Sequence, residues 1–300
     1  MTTPYPKDAS CAFLRNLGWI TTREQAKLKE SCVAVAGLGG AGGLTAVTLA
    51  RLGVGSFKLA DPELFDLTDI NRQTGASWNT AGLRKTEVIR RMILGINPEA
   101  SVETFLEGVT RENITSFLEG ANLAIDGIDL FEPRAKLLFF KVSREKKIFA
   151  ITSCPLGFGA SLLVFSPHGM SWEDYMGISP EMDERELILR SLFGLSPSPL
   201  ALTYASPEVF DPSHLKGSTV APGLTLVASL AATEAVKIIT GKRRMRCSPY
   251  IFQVDLMTQK VVKKFYPFGM RSMLQRFKRA LILKTMKIVG IRMENDHVAQ

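Results

Sequence analysis

Short apolar runs alternate with longer amphipathic stretches over the first 165 residues of the chain. The apolar runs are four to six residues long and rich in small and β-branched residues, which is typical of strands buried in a parallel sheet. The predicted strands are 32–36, 56–60, 102–105, 122–125, 147–152 and 160–165. The predicted helices between them are 44–52, 85–94, 110–118 and 133–142. Strands that alternate with helices predict an α/β fold with a doubly wound, mostly parallel sheet.

Two segments lie outside this alternation. Residues 1–30 form a polar N-terminal arm, in which 22–29 predicts a helix with Thr22 as its candidate cap. Residues 166–218 are rich in Pro, Ser and Gly and include a predicted helix over 181–193. We interpret this second segment as a lid-like insertion that crosses over the sheet.

The pattern then returns to regular elements and ends in a basic tail. A long apolar helix is predicted over 224–240, and a hairpin of strands 250–255 and 260–266 follows it. These elements close a single α/β domain of residues 31–267. Residues 268–300 follow this domain and carry seven Lys or Arg against two Asp or Glu.

The tail predicts a basic amphipathic helix over residues 269–289. Its apolar residues share one face at helical spacing, and most of its cations fall elsewhere. The apolar set is Met270, Met273, Leu274, Phe277, Leu281 and Ile288. We expect this helix to pack on the body of the protein or on a dimer mate. Contact with an anionic membrane surface is the alternative, and no motif supports nucleic-acid binding.

Composition narrows the class of protein. Apolar residues make up 46% and charged residues 22% of the 300 residues, which is ordinary for a soluble globular protein. No window reaches the roughly 18 continuous apolar residues of a membrane span, and the first residues, MTTPYPKDAS, lack the apolar run of a signal peptide. We therefore expect a cytoplasmic protein. The net charge of +8 resides largely in the tail and says little about partners of the body.

The cysteines and histidines argue against a structural metal. The four cysteines stand singly at 11, 32, 154 and 247, so the chain has neither a CxxC zinc ribbon nor a disulfide framework. Only three histidines are present, at 168, 214 and 297. No structural zinc is expected.

A glycine cluster joins the first predicted strand to the first long helix. Gly37, Gly39, Gly40 and Gly42 form GxGGxG, and Asp61 ends the next strand. Glycines let the backbone approach a phosphate without a Cβ clash, and the N–H groups at the helix start meet its negative charge. An acid at the end of the second strand can bind ribose hydroxyls. The combination predicts a Rossmann-like nucleotide site, and a glycine turn that merely packs helix on strand is the alternative.

Polar and charged residues follow the second and fourth strands and begin the helix at residue 85. Cations at these places would offset phosphate charge, and acids would hold a metal. Taken singly, each residue has an ordinary alternative as a surface cation or a capping acid. The set is Asn71, Arg72, Gln73, Lys85, Asp126, Asp129 and Arg134.

These residues make the chain similar to the ThiF/MoeB/HesA family, the bacterial relatives of ubiquitin-activating enzymes. That family carries GxGGxG, an acid after the second strand, a segment with Asn, Arg and Gln, a lysine after a glycine, and a D-x-x-D-N-x-x-x-R segment. The stretch VAPGLTLVASLAATEAVKIITG also resembles the family's long helix after the crossover loop. The resemblance covers roughly residues 11–267.

The resemblance implies an ATP-dependent adenylyltransferase that activates a carboxylate as an acyl-adenylate. Its substrate would be the C-terminal glycine of a ubiquitin-like or sulfur-carrier protein, a peptide or a small acid. Arg72 and Lys85 would bind the phosphates, Asp129 would hold Mg²⁺, and Asp126 would assist the metal or serve the structure. Arg15 matches the family's arginine that reaches into the partner's site, so the resemblance also implies a homodimer. The other nucleotide-binding positions would be Gly37, Gly39, Gly40, Gly42, Asp61, Asn71 and Gln73.

The chain departs from the family pattern at several points. Leu130 stands where the family has Asn after its aspartate, and Asp69 stands where the family usually has Asn. The zinc-binding CxxC pairs of many relatives are absent, and so is a cysteine between residues 172 and 222, where relatives often place an acceptor thiol. We interpret Cys154, at a strand end, as a small buried residue. Adenylation without an enzyme thioester is therefore expected.

Two other classes of protein stay open. The glycine loop and Asp61 would equally serve an NAD-dependent oxidoreductase, although no catalytic His or Tyr-x-x-x-Lys pair is evident. The absent cysteines would suit a non-catalytic member of the fold that binds nucleotide and a peptide or carrier protein.

Overall fold

A single sheet of eight strands forms the centre of the computed structural model, which describes residues 9–206 and 218–288. The strands are β1 (Cys32–Ala36), β2 (Ser56–Ala60), β3 (Ser101–Phe105), β4 (Leu123–Asp126), β5 (Phe149–Leu156), β6 (Gly159–Phe165), β7 (Tyr250–Asp255) and β8 (Lys260–Phe265). Their order is β3-β2-β1-β4-β5-β6-β7-β8. The first five strands run parallel to one another, and β6, β7 and β8 pair antiparallel. The predicted α/β, mostly parallel, doubly wound sheet is confirmed.

Helices cover both faces of this sheet. They are α1 (Thr22–Glu30), α2 (Gly40–Arg51), α3 (Lys85–Ile96), α4 (Ile114–Leu118), α5 (Pro133–Glu145), α6 (Trp172–Met176), α7 (Glu184–Leu195), α8 (Ala221–Thr240) and α9 (Met273–Ile288). Helices α1, α2, α3 and α8 share one apolar cluster with the sheet, and α4 to α7 share the other. The result is the three-layer arrangement expected of a doubly wound fold.

The two faces of the parallel strands differ in side-chain size. Val33 and Val35 of β1 face α2 and α3, whereas Ala34 and Ala36 face the opposite layer. Alanines of β2, β4 and β5 join them there, so bulky rings can approach the sheet closely on that side. Its aromatic cluster includes a stack of Phe140 on a tryptophan with ring centroids 4.2 Å apart.

The start of α2 and the cap of α1 differ from the sequence predictions. Helix α2 begins at Gly40 rather than at 44, because the glycine cluster itself forms the first helical turn. Helix α1 is capped by Thr21 rather than Thr22: the Thr21 hydroxyl accepts from the Glu24 N–H at 3.3 Å, and the Glu24 carboxylate accepts from the Thr21 N–H at 2.8 Å. This reciprocal pair is a capping box, which the sequence T-x-x-E also encodes.

Helix α8 is long and apolar enough to cross a membrane by length and composition, with a mean hydropathy of 1.4. It packs on α2, β5 and β6, however, and its buried residues belong to the same apolar cluster as β1 and α2. This position identifies α8 as a core helix of the domain.

The ends of the sheet and of the chain complete the fold. Strand β8 forms one edge and leaves most of its side chains exposed, Lys260, Lys263 and Lys264 among them. Helices α6 and α7 of the predicted insertion pack on α5, and a 3-10 turn at Gly269–Arg271 joins them to α9. Residues 1–8, 207–217 and 289–300, which belong to the predicted arm, insertion and tail, lie outside the described residues. The division into arm, lid and tail therefore stays a prediction.

Candidate active site

The carboxyl ends of β1, β2 and β4 lie side by side, because these strands are parallel neighbours. The chain proceeds from β1 to β2 and β3 on one side, then returns to β4 on the other side of β1. Such a reversal creates the crevice in which doubly wound sheets bind ligands. The glycine loop follows β1, Asp61 follows β2 and Asp126 ends β4, so three predicted site segments meet at this edge of the sheet.

Packing against backbone atoms requires two of the four glycines in the loop, Gly37 and Gly42, and a Cβ at Gly40 would displace a leucine side chain. Gly37 has a φ of 81°, and a Cβ there would lie 2.2 Å from the Gly127 carbonyl oxygen. A Cβ at Gly42 would lie 1.9 Å from the Gly37 carbonyl oxygen, and one at Gly40 would lie 2.4 Å from a methyl of Leu224. These glycines let β1, α2, α8 and the loop after β4 come into contact.

Gly39 is different, because nothing in the fold requires it to lack a side chain. The nearest atom to a Cβ there would be the Gln73 amide nitrogen, at 3.7 Å. Gly39 immediately precedes the first turn of α2, whose N–H groups have no partner within the helix. The side-chain amide oxygen of Gln73, Oε1, also lies near Gly39. It is buried and has no hydrogen-bond partner within the described residues. An anion fits the N–H groups at the start of α2, and a hydroxyl group or a water molecule bound to that anion can donate to the Gln73 amide oxygen.

Asp61 ties the loop to β2. The side chain is buried, and its two oxygens accept from the N–H groups of Leu38, at 2.6 Å, and Glu63, at 2.8 Å. Burial raises the pKa of this carboxyl, and the two backbone N–H donors oppose that rise. The bond to Leu38 fixes the conformation of the glycine loop, and the predicted contact of Asp61 with ribose stays a prediction.

Asp69 organises the polar segment after β2. It is almost fully buried, and its Oδ1 accepts from Gln73 Nε2 at 2.6 Å and from Arg72 Nη2 at 3.1 Å. Its Oδ2 accepts from the Asp66 N–H at 3.1 Å and lies 3.9 Å from the ammonium of Lys85. One carboxylate thus holds three predicted nucleotide-binding side chains. In the sequence, Asp69 stood out only as a departure from the family pattern. Its position three residues before Arg72 and four before Gln73 could have indicated contact with both side chains.

Lys85 is buried, with only 2% of the residue exposed at the first turn of α3. Its ammonium donates to the Glu63 carboxylate and lies 5.8 Å from the centre of the Phe65 ring. Lys85 is therefore not an ordinary surface cation, because Asp69 and the loop after β2 enclose its stem. A buried ammonium held by acids is preorganised to receive phosphate oxygens.

Arg72 and Asn71 connect the segment to α8. Besides Asp69, the Arg72 guanidinium donates to the Thr68 carbonyl at 2.7 Å and to the Asn71 side chain at 3.0 Å. Asn71 in turn donates to the Thr219 carbonyl at 3.2 Å, just before α8 begins. The end of the crossover segment therefore lies against the predicted phosphate-binding residues.

The two acids after β4 have different surroundings. Asp126 is buried, and both of its oxygens accept from the Lys136 ammonium, at 2.7 and 2.9 Å. Asp129 is exposed, and its Oδ1 accepts from the Phe131 N–H at 3.0 Å. Sequence reasoning missed Lys136, which lies in the first turn of α5. Asp129 is accordingly the better placed of the two to receive a metal ion.

The metal ligands that the protein offers fit a magnesium ion bound mainly by phosphate oxygens. In the part of the chain that the structure describes, no group of three or more His, Cys, Asp or Glu could hold a metal ion by itself. Mg²⁺ commonly uses one or two carboxylates and completes its octahedron with phosphate oxygens and water. The exposed carboxylate of Asp129 matches this requirement.

Arg15 does not join the other predicted residues within one chain. It lies exposed on a 3-10 helix (Ala9–Asn16), and the neighbouring Asn16 donates to the Leu52 carbonyl at 3.4 Å. Leu52 caps the far end of α2, whose 12 residues extend about 18 Å from the glycine loop. A role for Arg15 would therefore have to lie in another chain's site.

Sequence comparison decides the family. The sequence model of the ThiF family matches residues 13–272, which is most of the chain. The chain belongs to the ThiF family. The resemblance seen in the motifs is thereby confirmed, and the glycine loop, the Asp69 segment and the acids after β4 all lie inside the matched region.

Curated relatives of this ThiF-family protein carry two kinds of name. The tRNA threonylcarbamoyladenosine dehydratase of Escherichia coli (strain K12) is 36% identical over 125 residues, which cover 41% of this chain and 46% of that protein. The sulfur carrier protein ThiS adenylyltransferase of the same strain is 26% identical over 219 residues, covering 72% of this chain and 75% of that protein. The chain thus matches less than half the length of the dehydratase.

Solved structures share the fold of this ThiF-family protein. Escherichia coli MccB, in a complex with AMPCPP and MccA, superposes with a TM-score of 0.64 at 20% identity and covers 88% of this chain and 74% of that chain. A structure of PaaA superposes with a TM-score of 0.62 at 20% identity, covering 81% and 66%. At this level of identity, the comparison supports the architecture alone.

The Lys136–Asp126 pair predicts a large stability effect in this ThiF-family protein. Lys136→Met leaves a buried carboxylate without its cation, and we expect a loss of about 3–5 kcal/mol in the free energy of unfolding. The double variant Lys136→Met/Asp126→Asn removes both charges and should recover much of that loss. Urea unfolding measures both values. A single variant as stable as the parent would contradict the importance of the pair.

Cys154 lies inside β5 rather than at its end, and its thiol is half-buried against the Pro155 carbonyl. Burial raises the pKa of the Cys154 thiol to about 11. Because only the thiolate reacts, iodoacetamide should label Cys154 at pH 8 about 10²-fold more slowly than an ordinary exposed thiol. The labelling rate should keep rising up to pH 11. Mass spectrometry of the labelled peptide measures it, and rapid labelling at pH 7 would show an activated thiol.

Proposed function

We propose that this protein uses ATP to activate a carboxylate as an acyl-adenylate. One observation carries the proposal: a single buried carboxylate, Asp69, holds Arg72, Gln73 and Lys85 together beside the glycine loop. Two cations and an amide fixed next to a helix N-terminus form a site for a polyphosphate. A dinucleotide cofactor for hydride transfer requires no such pair of cations.

The residues have distinct parts in the proposed reaction. A substrate carboxylate oxygen attacks the α-phosphorus of ATP, the bond to the β-phosphate bridging oxygen breaks, and pyrophosphate leaves with the bond electrons. ATP would supply the AMP group, and Asp129 would hold a Mg²⁺ ion that offsets the charge of the phosphates. Arg72 and Lys85 offset the charge of two anions that must approach each other.

Glu63 sets a condition for phosphate binding. Its carboxylate forms an ion pair with the Lys85 ammonium, and more than half of the Glu63 side chain is exposed. A phosphate oxygen that binds Lys85 would take the place of this exposed partner, whereas the buried Asp69 would remain beneath the lysine. The exchange would keep the ammonium neutralised throughout and avoid an unpaired buried charge.

We propose a protein or peptide C-terminus as the carboxylate. The support is the sulfur carrier protein ThiS adenylyltransferase, whose match covers 72% of this chain, against 41% for the tRNA threonylcarbamoyladenosine dehydratase. A carboxylate carried by RNA is the second candidate, because the tRNA threonylcarbamoyladenosine dehydratases match a shorter region at higher identity, 36% over 125 residues.

Pyrophosphate exchange tests the function. The protein is incubated with ATP, Mg²⁺ and labelled pyrophosphate, with or without a carrier protein ending in Gly-Gly, a free peptide, or tRNA bearing threonylcarbamoyladenosine. Label should enter ATP only in the presence of the true carboxylate, and Asp129→Asn should abolish the exchange. ATP binding without exchange on any of these would favour the non-catalytic alternative. NADH binding without ATP binding would overturn the proposal in favour of an oxidoreductase.

We also propose that a homodimer completes each site with Arg15 of the other chain. The support is the distance of Arg15 from the glycine loop of its own chain, together with the prevalence of twofold dimers. Arg15→Ala and Asp129→Ala should each be inactive alone. After mixing and subunit exchange, a mixed dimer would have one site with both defects and one with neither, so up to half its activity should return.

The mixing experiment discriminates clearly between arrangements. If Arg15 acts within its own chain, every site in the mixture keeps a defect and no activity returns. Parent protein mixed with Arg15→Ala serves as the control for subunit exchange. A fully active monomer, measured by sedimentation at the assay concentration, would rule out the dimer.

A further inference from the structure

Helix α9 packs on the body with its polar face and turns its apolar face outward. Gln275 is 8% exposed and Arg279 is largely covered, whereas Met273 and Phe277 are 85% and 67% exposed. The expectation that the apolar stripe of this helix packs on the body is therefore wrong for its first turns. Leu274 belongs to the same outward stripe.

The stripe extends beyond the helix and is bordered by cations. Phe268, on the turn before α9, is 72% exposed and adds to the apolar surface. Arg271 and Arg276 are exposed beside it. The sequence of α9, MLQRFKRALILKTMKI, has five Lys or Arg and neither Asp nor Glu. We call Phe268, Met273, Leu274 and Phe277 the outward stripe.

A pocket between α9 and the insertion concentrates positive charge. Its volume is about 340 Å³, and Arg190, Arg271 and Arg276 line it. Two acids reach this group: Glu186 pairs with Arg190, and Asp174 lies 3.4 Å from Arg271. Burial, and then the neighbouring Arg190, lower the pKa of Arg279, and Glu186 opposes this effect. The pocket can take an anionic group.

We propose that α9 and the outward stripe dock on an anionic phospholipid surface, with headgroup phosphates at the arginines of the pocket. A short helix with aromatic and long apolar residues on one side and Lys or Arg on the other is the form that lies in the plane of a membrane interface. Anionic headgroups complement the exposed Arg271 and Arg276 beside the outward stripe. None of the described residues covers the stripe.

Charge argues against the other occupants. A twofold contact between two copies of α9 would bring cations of one helix near those of the other, with no acid of either helix between them. A nucleic acid would use the cations and leave Met273, Leu274 and Phe277 in water. A phospholipid surface satisfies both the apolar stripe and the cations. This inference does not depend on the adenylation reaction.

Vesicle co-sedimentation of the full chain tests the proposal. The protein should pellet with vesicles of phosphatidylcholine mixed with phosphatidylglycerol and stay in solution with phosphatidylcholine alone. Raising the salt from about 0.1 to about 1 M shortens the screening length from ~10 to ~3 Å and should weaken the binding. Binding that is equal for both vesicles, or absent from both, would overturn the proposal.

A matched pair of variants tests the stripe itself. Met273→Ser/Leu274→Ser should lower the partition coefficient about tenfold for each residue, because each loses an apolar side chain that enters the interface. Leu256→Ser/Met257→Ser removes the same two residue types at similarly exposed positions in the β7–β8 turn and should change nothing. An equal loss of vesicle binding in both double variants would show that the outward stripe does not contact the membrane, and would overturn the proposal.

A second pair tests the cations in case the first variant folds poorly. Arg271→Gln/Arg276→Gln should weaken binding about fivefold per arginine, whereas Arg23→Gln/Arg111→Gln, with the same change of net charge at exposed sites elsewhere, should have a smaller effect. A dimer that forms without vesicles and is lost in Met273→Ser/Leu274→Ser would assign the stripe to a second copy. Displacement from vesicles by RNA at equal charge concentration would assign the cations to a nucleic acid. Either result would overturn the proposal.

Discussion

A Lys85→Met protein is expected to lose about 10²–10³-fold in the rate of ATP–pyrophosphate exchange, the effect of removing one preorganised charge from a transition state. The ammonium of Lys85 is already held by Asp69 and Glu63, so its attraction for phosphate costs no reorganisation during the reaction. Methionine retains the apolar stem in its buried channel. The unfolding free energy should fall by only about 1–3 kcal/mol, because Asp69 keeps Arg72 and Gln73 as partners.

Lys58→Met provides the matched control for this loss. Lys58 is also largely buried, pairs with Glu103 at 3.3 Å and lies in β2 beneath the opposite layer, away from the glycine loop. Lys58→Met should lower the midpoint temperature of unfolding without a comparable loss in the rate of ATP–pyrophosphate exchange. Pyrophosphate exchange and thermal unfolding measure the two effects separately. Parental exchange rates in Lys85→Met would place the phosphate site elsewhere.

Gly37→Ala is expected to lower the stability of the protein, whereas Gly39→Ala is expected to lower its affinity for ATP. A Cβ at Gly37 would combine a left-handed φ with a 2.2 Å approach to the Gly127 carbonyl oxygen, and together these cost about 2–6 kcal/mol. That is a large part of the usual stability of a domain, so Gly37→Ala should express poorly or unfold below physiological temperature. Gly39→Ala should keep the parental stability and lose ATP affinity, because its Cβ would occupy the path of the phosphates.

Gly120→Ala separates the two costs at Gly37. Gly120 also has a positive φ, of 70°, but a Cβ there would meet nothing within 4 Å. It should therefore show the backbone cost alone. Thermal unfolding of the three variants, with calorimetric titration of ATP into those that fold, completes the comparison. ATP binding by Gly39→Ala at parental affinity would show that no phosphate approaches this residue.

The sheet and its glycine loop could be predicted because they depend on local patterns. The run at 32–36 is apolar throughout, the run at 56–60 has apolar residues at 57, 59 and 60, and both strands form where predicted. The boundary of α2 was wrong because glycine is a poor helix former, yet here Gly40, Gly42 and Gly43 are helical where close neighbours leave no room for a Cβ. Tertiary packing, which the local pattern does not contain, overrode the propensity.

The polar networks of the site could not be predicted in the same way. Asp126 was correctly placed at the end of a strand, but its partner Lys136 comes from the first turn of α5, ten residues further along the chain. Likewise, the burial of Lys85 depends on Glu63 and Asp69, which approach it only after β2 and α3 pack. Residue types identified the chemistry, and the pairing of charges required the fold.

The lysines of β8 limit how the protein can associate. An edge strand presents unpaired N–H and C=O groups, to which a strand of another molecule can add. At this edge, Lys260, Lys263 and Lys264 stand along the outermost strand, and an incoming strand would have to bury or crowd their ammonium groups. The lysines thereby oppose growth of the sheet into fibrils through β8.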